Sequence, residues 1–118
     1  MAATTPARNG TSADPEVLAI LRALADPNRF RLFCALRGME RCVRDLVASE
    51  GMAQPLVSHH LRVLERAGLV RARRSHGFTL YALDPRGLAA AKAAVMDLLD
   101  PESLSALAMP GGNSDCCR

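Results

Sequence analysis

The chain has 118 residues, a formal net charge of +3 and a pI near 8.9, which together predict one small, mildly basic domain. No apolar run reaches the roughly 18 residues that a membrane-spanning helix needs, and the first residues lack the apolar core of a signal peptide. We therefore expect a cytoplasmic protein whose cysteines are reduced thiols, and a domain small enough to gain from burying apolar surface in a dimer.

The N-terminal part of the chain predicts an arm followed by a first helix. Residues 1–13 are small and polar without periodicity, so we expect a disordered arm there. The pair Asp14-Pro15 predicts a helix start, since a capping side chain precedes a proline that suits the first turn. The expected apolar stripe of this helix consists of Val17, Leu21 and Leu24.

Two further helices are predicted before residue 50. Asp26-Pro27 repeats the start signal, and the helix that follows is apolar nearly all round, as a buried central helix would be. Gly38 is expected to close it. A third, short helix is expected from near Cys42 to about Ser49.

The stretch 54–81 predicts a helix, a glycine stop and a two-stranded hairpin. Pro55 suits the first helical turn, and Gly68 suits the end of the helix. The apolar stripe of the helix consists of Val57, Leu61 and Leu64. Its opposite face carries Gln54, Ser58, His59, Arg62 and Arg66. A helix that suits the major groove, followed by a basic hairpin turning at residues 75–77, is typical of a winged helix-turn-helix. The predicted fold class is therefore mainly α with a small β-hairpin wing.

Positive charge is concentrated in this stretch. Five of the fifteen Lys and Arg residues lie within thirteen positions: Arg62, Arg66, Arg71, Arg73 and Arg74. Clustered positive charge of this kind favours a polyanionic partner. A solvated face is the alternative, but the preceding helix favours double-stranded DNA.

A last helix and a tail complete the chain. Asp84-Pro85 predicts a helix to about residue 99, so the expected domain is 14–99. Its apolar side consists of Leu88, Ala91, Val95 and Leu98. Together with the first helix it is the expected surface of a homodimer. Residues 100–118 predict a flexible C-terminal tail that ends in the pair Cys116-Cys117.

From about residue 18 to residue 88 the chain resembles the ArsR/SmtB family of metalloregulatory repressors. The matching segments are ALADPNRFRL (23–32), CVRDL (42–46), QPLVSHHLRVLERAGLV (54–70) and GFTLYAL (77–83). The resemblance implies a homodimeric winged-helix repressor that binds operator DNA. It also implies release of the DNA when an inducer binds cysteines or histidines outside the recognition helix and the wing.

The resemblance also implies which residues meet DNA. On the recognition helix these are Gln54, Ser58, His59, His60 and Arg62. On the wing they are Arg73, Arg74 and His76. No cofactor is expected for DNA binding itself.

The expected inducer is a thiophilic metalloid. The arsenic-sensing branch of the family begins its third helix with Cys-Val-Cys-Asp-Leu, whereas residues 42–46 here keep only the first thiol and have Arg44 in place of the second. Cys116 and Cys117 supply a new pair of thiols, and trivalent arsenic or antimony favours three thiolates. We therefore expect Cys116, Cys117 and Cys42 to bind As(III), Sb(III) or methylarsenite. The zinc-sensing branch needs histidine on the last helix, which has none here.

Other interpretations of the cysteines and of the fold remain open at this point. Cys34 lies in an apolar helix and is expected to be a buried small hydrophobe. The thiols could instead form a redox- or persulfide-responsive repressor of the same fold, through Cys34, Cys42 or the tail pair. A winged-helix module that binds proteins rather than DNA is a second alternative. An enzyme is not expected, because no nucleophile–base pair or phosphate loop is recognisable.

Overall fold

The computed structural model describes residues 15–102, which fold into five helices and a three-stranded antiparallel sheet. The helices are α1 (Pro15–Ala25), α2 (Pro27–Ala35), α3 (Val43–Glu50), α4 (Gln54–Arg66) and α5 (Pro85–Leu98). The strands are β1 (Arg41–Cys42), β2 (Val70–Ser75) and β3 (Phe78–Leu83). This confirms the predicted winged helix-turn-helix. The expected N-terminal arm, the expected cap of α1 (Asp14) and most of the expected tail lie outside the described residues.

Two of the predicted helix starts have the expected caps. Asp26 Oδ1 accepts hydrogen bonds from the backbone N–H groups of Asn28 at 2.8 Å and Arg29 at 3.1 Å. Asp84 Oδ1 accepts from Arg86 N at 3.1 Å and Gly87 N at 3.3 Å. Each carboxylate satisfies backbone donors that the first helical turn leaves unpaired, and it lies at the positive end of the helix. The local Asp-Pro signal therefore determines where α2 and α5 begin.

The helix α4 ends in the turn that its glycine predicts. Gly68 has a φ of +83°, a left-handed conformation that glycine adopts without steric cost. Its N–H donates to Glu65 O at 2.9 Å, and Leu69 N donates to Leu64 O at 3.0 Å. These two bonds form a Schellman motif, which turns the chain sharply from the helix into β2.

The sheet has the strand order β1-β3-β2. The loop between β2 and β3 consists of His76 at φ 49° and Gly77 at φ 84°, and two positive φ values in a two-residue loop define a type I′ turn. The sequence predicted only these two strands. The third, β1, has two residues, Arg41 opposite Tyr81 and Cys42 opposite Leu80. So short a strand shows no alternation of apolar residues and depends on its partner across the sheet.

The core lies between α1, α2, α3 and the inner face of α4. Its fully buried side chains are Leu32, Leu36, Leu46, Val57, Leu61, Leu64 and Leu69. The expected stripe of α1 is partly wrong: Ile20 and Ala23 are buried, whereas Leu21 is 41% exposed. Val17, Ile20 and Ala23 follow an i, i+3, i+6 spacing, so the inward face is rotated from the predicted one.

The helix α5 packs on α1 and leaves apolar side chains on its outer side. Ala91 is buried, and Leu88 and Val95 pack against the core, but Leu98 is 48% exposed. The exposed apolar residues of these two helices, which we call the α1/α5 face, are Leu18, Leu21, Met96, Leu98 and Leu99. Within residues 15–102, no helix combines the length and apolar character that crossing a membrane requires.

Candidate nucleic-acid interface

The outer face of α4 presents polar and basic groups to solvent. Gln54, His59, Arg62 and Arg66 are exposed and Ser58 is half-buried, whereas Val57, Leu61 and Leu64 point into the core. Gln54, Ser58 and Arg62 follow one another at i, i+4 and i+8, so their side chains form one stripe along the helix. An exposed stripe with amide, hydroxyl and guanidinium groups can donate to base edges and phosphates.

His60 does not share that face. It is only 5% exposed, and its Nδ1 lies 3.2 Å from Arg29 Nη1. The expectation that it belongs to the exposed reading surface is therefore corrected. The physical reason is helical periodicity, because His60 comes three residues after Val57 and four before Leu64. The same spacing in the sequence could have placed it on the inner face.

Arg29 joins three helices around this histidine. Its Nε donates to Ala23 O at 2.9 Å and its Nη2 donates to Arg22 O at 3.3 Å, so it satisfies carbonyls at the end of α1. Its Nη1 meets His60 on α4, and Arg29 itself belongs to α2. We call this set of contacts the Arg29 junction. Sequence reasoning missed it, although its place directly after the Asp26-Pro27 cap puts the side chain beside the end of α1.

The charge state of His60 follows from its surroundings. Burial lowers the pKa of His60, and the nearby Arg29 and His59 act in the same direction while Asp26 opposes them. Because a guanidinium only donates, His60 accepts at Nδ1 and carries its proton at Nε2, a buried atom without a partner among residues 15–102. A neutral His60 therefore holds the recognition helix against α2.

The wing carries exposed arginines on both of its faces. Arg71, Arg73 and Arg74 are exposed on β2, and His76 is exposed at the turn, where its Nδ1 lies 3.1 Å from Ser75 Oγ. Successive side chains of a strand point to opposite faces, so Arg73 and Arg74 diverge. The predicted wing residues are thus at the surface, but they do not form a single patch.

Arg73 has a protein partner that the sequence analysis missed. Its Nε donates to Glu40 Oε2 at 2.7 Å and its Nη2 donates to Glu40 Oε1 at 2.8 Å. The hydrogen bond from Arg73 holds the pKa of Glu40 below its usual range, and the same contact raises the pKa of Arg73. The two residues are 33 positions apart, and no local pattern indicates that β1 brings them together.

The two described thiols, Cys34 and Cys42, are free and line different clefts. Cys42 is the N-cap residue of α3, is half-buried and makes no side-chain cap hydrogen bond. It lines a cleft of about 650 Å³ between α3 and the wing, together with Asp45, His76 and Phe78 among others. No group of three His, Cys, Asp or Glu side chains suited to a metal occurs within residues 15–102. The other two expected ligands, Cys116 and Cys117, lie outside the described residues.

Cys34 is exposed, and the expectation of a buried thiol is wrong. Of the nine residues of α2 only Leu32 is fully buried, and Phe30 is 53% exposed. The helix is apolar on more than one side, but the neighbouring helices cover only one of them. Phe30 and Cys34 line a shallow groove next to Arg31 and Glu50.

Known proteins match this chain in both sequence and fold. Residues 26–72 match the family model for bacterial regulatory proteins of the arsR family. The repressor SmtB of Mycobacterium tuberculosis is 46% identical over 70 residues, which cover 59% of this chain and 52% of SmtB. The chain thus spans about half the length of that curated relative.

Two solved structures match more than three quarters of this chain. A possible transcriptional regulator for arsenical resistance is 37% identical, with a TM-score of 0.63 over 78% of this chain and 98% of that protein. The homodimeric winged helix-turn-helix domain Mb0332 of Mycobacterium bovis is 28% identical, with a TM-score of 0.61 over 77% of this chain and 89% of that domain. On this evidence the chain belongs to the ArsR/SmtB family of winged helix-turn-helix regulators.

Proposed function

We propose that the protein is a transcriptional repressor that binds double-stranded operator DNA as a homodimer. The observation that carries this proposal is the exposed stripe Gln54–Ser58–Arg62 on α4, which leads through a tight turn into an arginine-bearing hairpin. An α-helix fits the major groove, and a basic hairpin fits the adjacent backbone. The relatives named as repressors support the same role.

The residues divide into two roles in this proposal. Gln54 and Ser58 read base edges, and His59 and Arg62 meet bases or phosphates from the same face of α4. Arg73, Arg74 and His76 on the wing contact the DNA backbone. His60 is left out, because it is buried in the Arg29 junction and acts by positioning α4.

Substitutions on α4 are expected to separate affinity from sequence preference. Arg62→Ala should weaken binding to every duplex and flatten the plot of log affinity against log salt concentration by about 0.9 for one lost phosphate contact. Gln54→Ala should instead reduce discrimination between operator and mismatched operator by roughly 1–3 kcal/mol. Fluorescence anisotropy at several salt concentrations measures both.

The control for this experiment is Lys92→Ala, which removes one positive charge from an exposed position of α5. It should bind DNA nearly as the parent does. If Arg62→Ala and Gln54→Ala also behave like the parent, α4 is not the reading helix.

We further propose that the α1/α5 face forms the homodimer interface. Leu21 and Leu98 are exposed in the single chain, and a second copy would remove their apolar surface from water. The similar M. bovis domain is homodimeric, which supports a dimer of this chain. Replacing Leu21 and Leu98 together with glutamate should give a monomer that sediments as a 12.6 kDa particle and binds operator much more weakly.

Leu88 and Val95 are less suitable for this test, because they pack against the core of their own chain. The control is Met39→Glu, which places one glutamate on an apolar residue that is 56% exposed outside α1 and α5. The control should remain dimeric. An unaltered dimer in the Leu21/Leu98 variant would place the interface elsewhere.

The inducer in this proposal is trivalent arsenic, antimony or a methylated arsenical, bound by thiolates of Cys116, Cys117 and Cys42. As(OH)3 reacts with three thiols to form three As–S bonds and releases three waters. CH3As(OH)2 reacts with two thiols and releases two waters, because carbon occupies one valence of the arsenic. Cys42 supports this role because its thiol is not used as a helix cap and lies at the start of α3, which packs on α4. The arsenical-resistance regulator among the similar structures agrees with this inducer class.

A DNA titration repeated with several inducers tests this part of the proposal. Operator binding should be lost with As(III), Sb(III) and methylarsenite, and retained with Zn(II). Release by polysulfide but not by arsenite would show that the thiols respond to sulfur chemistry instead.

A further inference from the structure

Glu40 and Arg73 form a side-on ion pair across the middle strand of the sheet. Both carboxylate oxygens are engaged, one by Nε at 2.7 Å and the other by Nη2 at 2.8 Å. Glu40 directly precedes β1, whereas Arg73 lies on β2 opposite Leu80 of β3. The strand order β1-β3-β2 therefore requires the pair to reach over β3.

The carboxylate occupies the edge of the guanidinium that recognises phosphate. The Nε and Nη2 donors of arginine form a planar fork that binds a carboxylate or a phosphate through two parallel hydrogen bonds. A DNA phosphate at Arg73 would therefore need the same two donors that Glu40 occupies. The side chain of Arg73 is 57% exposed and that of Glu40 is 34% exposed, so a phosphate can approach the pair from solvent.

A second ion pair, between Arg31 and Glu50, has a different geometry. Arg31 and Glu50 share a single side-chain contact of 3.3 Å, and the same Arg31 nitrogen donates to the backbone carbonyl of Glu50 at 2.7 Å. The positive charge of Arg71 also lowers the pKa of Glu40. One carboxylate therefore faces two of the three arginines of β2.

We propose that Glu40 is an intramolecular competitor for DNA phosphate at Arg73 and limits the sequence-independent affinity of the wing. This inference rests on the proposed DNA-binding function. In free protein the bidentate pair neutralises Arg73. In the complex a backbone phosphate replaces the carboxylate at Arg73. The free energy of binding gained from this contact is therefore reduced by the free energy lost when the ion pair breaks.

The variant Glu40→Gln tests the proposal, since it keeps the shape of the side chain and removes its charge. Affinity for a duplex of unrelated sequence should rise roughly two- to fivefold, the equivalent of one exposed ion pair. The slope of log affinity against log salt concentration should stay close to that of the parent, because Arg73 contacts a phosphate in both complexes. In a protein that already carries Arg73→Gln, adding Glu40→Gln should no longer raise the affinity.

Two measurements exclude other causes. Glu16→Gln removes a carboxylate from α1 and should leave DNA affinity within error of the parent, which controls for net charge. The NMR signal of the Arg73 Nε–H should differ between parent and Glu40→Gln in free protein and coincide when both are saturated with DNA. Coincidence in the complex is the result that phosphate exchange requires.

Several outcomes would overturn the inference. Unchanged affinity in Glu40→Gln would show that Glu40 does not compete with a phosphate at Arg73. A weaker binder would show that Glu40 supports the wing rather than competing with DNA. Either result leaves the proposed function intact if the parent binds duplex DNA, whereas a parent that binds none would defeat both.

Discussion

Replacing Gly87 with alanine is expected to lower the melting temperature of the domain by roughly 10 °C or more. A Cβ at this position would lie 1.6 Å from Gly68 O and 2.8 Å from Gly68 C. Neither atom can move easily, because Gly68 belongs to the Schellman turn at the end of α4 and Asp84 N donates to Leu69 O at 3.0 Å beside it. The clash should push α5 away from the end of the recognition helix.

The sign of the change in melting temperature distinguishes a steric clash with Gly68 from the effect of helix propensity. Glycine inside a helix costs about 1 kcal/mol relative to alanine, so propensity alone predicts that Gly87→Ala is stabilising. The matched control is Ala90→Gly at an exposed position of α5, which should lose only about that amount. Thermal unfolding at fixed protein concentration measures both. A Gly87→Ala protein as stable as the parent would mean that α5 does not pack this closely on the turn.

Replacing Cys116 and Cys117 together with serine is expected to leave operator affinity intact and abolish release by arsenite. The tail thiols supply two of the three proposed ligands, and serine cannot replace a thiolate toward arsenic. An inducer shifts the equilibrium only by its different affinity for the free and DNA-bound states, so loss of capture removes the whole response. An anisotropy titration of the preformed complex with arsenite measures it.

The remaining cysteines provide the controls for this experiment. Cys42→Ser should weaken the response to As(III) more than the response to methylarsenite, because the latter needs only two thiolates. Cys34→Ser should alter neither, although its exposed thiol is available to reagents. If the double tail variant releases its operator at the same arsenite concentration as the parent, the tail does not bind the inducer.

Local sequence determined where α2 and α5 begin and where α4 ends. The carboxylates of Asp26 and Asp84 cap their helices through bonds to residues two and three positions away. Gly68 ends α4 through bonds of equally short range. Such contacts join residues only a few positions apart, so they can be predicted from the sequence without the tertiary structure. The exposed stripe of α4 was predictable for the same reason, since periodicity alone separates it from the buried leucines.

Tertiary structure decided the contacts between distant segments. Arg29 meets His60 across 31 positions, and Glu40 meets Arg73 across 33. Neither pairing has a local signature, because an ion pair or hydrogen bond needs only two atoms brought together by the surrounding fold. The pairing of β1 with β3 is of the same kind. It depends on the position of a strand that is too short to be recognised alone.

Which side chains of a helix are exposed likewise depends on which of its faces the neighbouring elements cover. The apolar residues of α2 and α1 do not show which of their sides meets the core, so Cys34 and Leu21 were expected inside and lie outside. The sequence by itself determined the winged helix-turn-helix and the polar face of its recognition helix, because both arise from contacts within a few residues. Only the packed structure decided that Arg29 contacts His60 and that Arg73 is already paired with Glu40, because both contacts depend on groups that chain folding brings together.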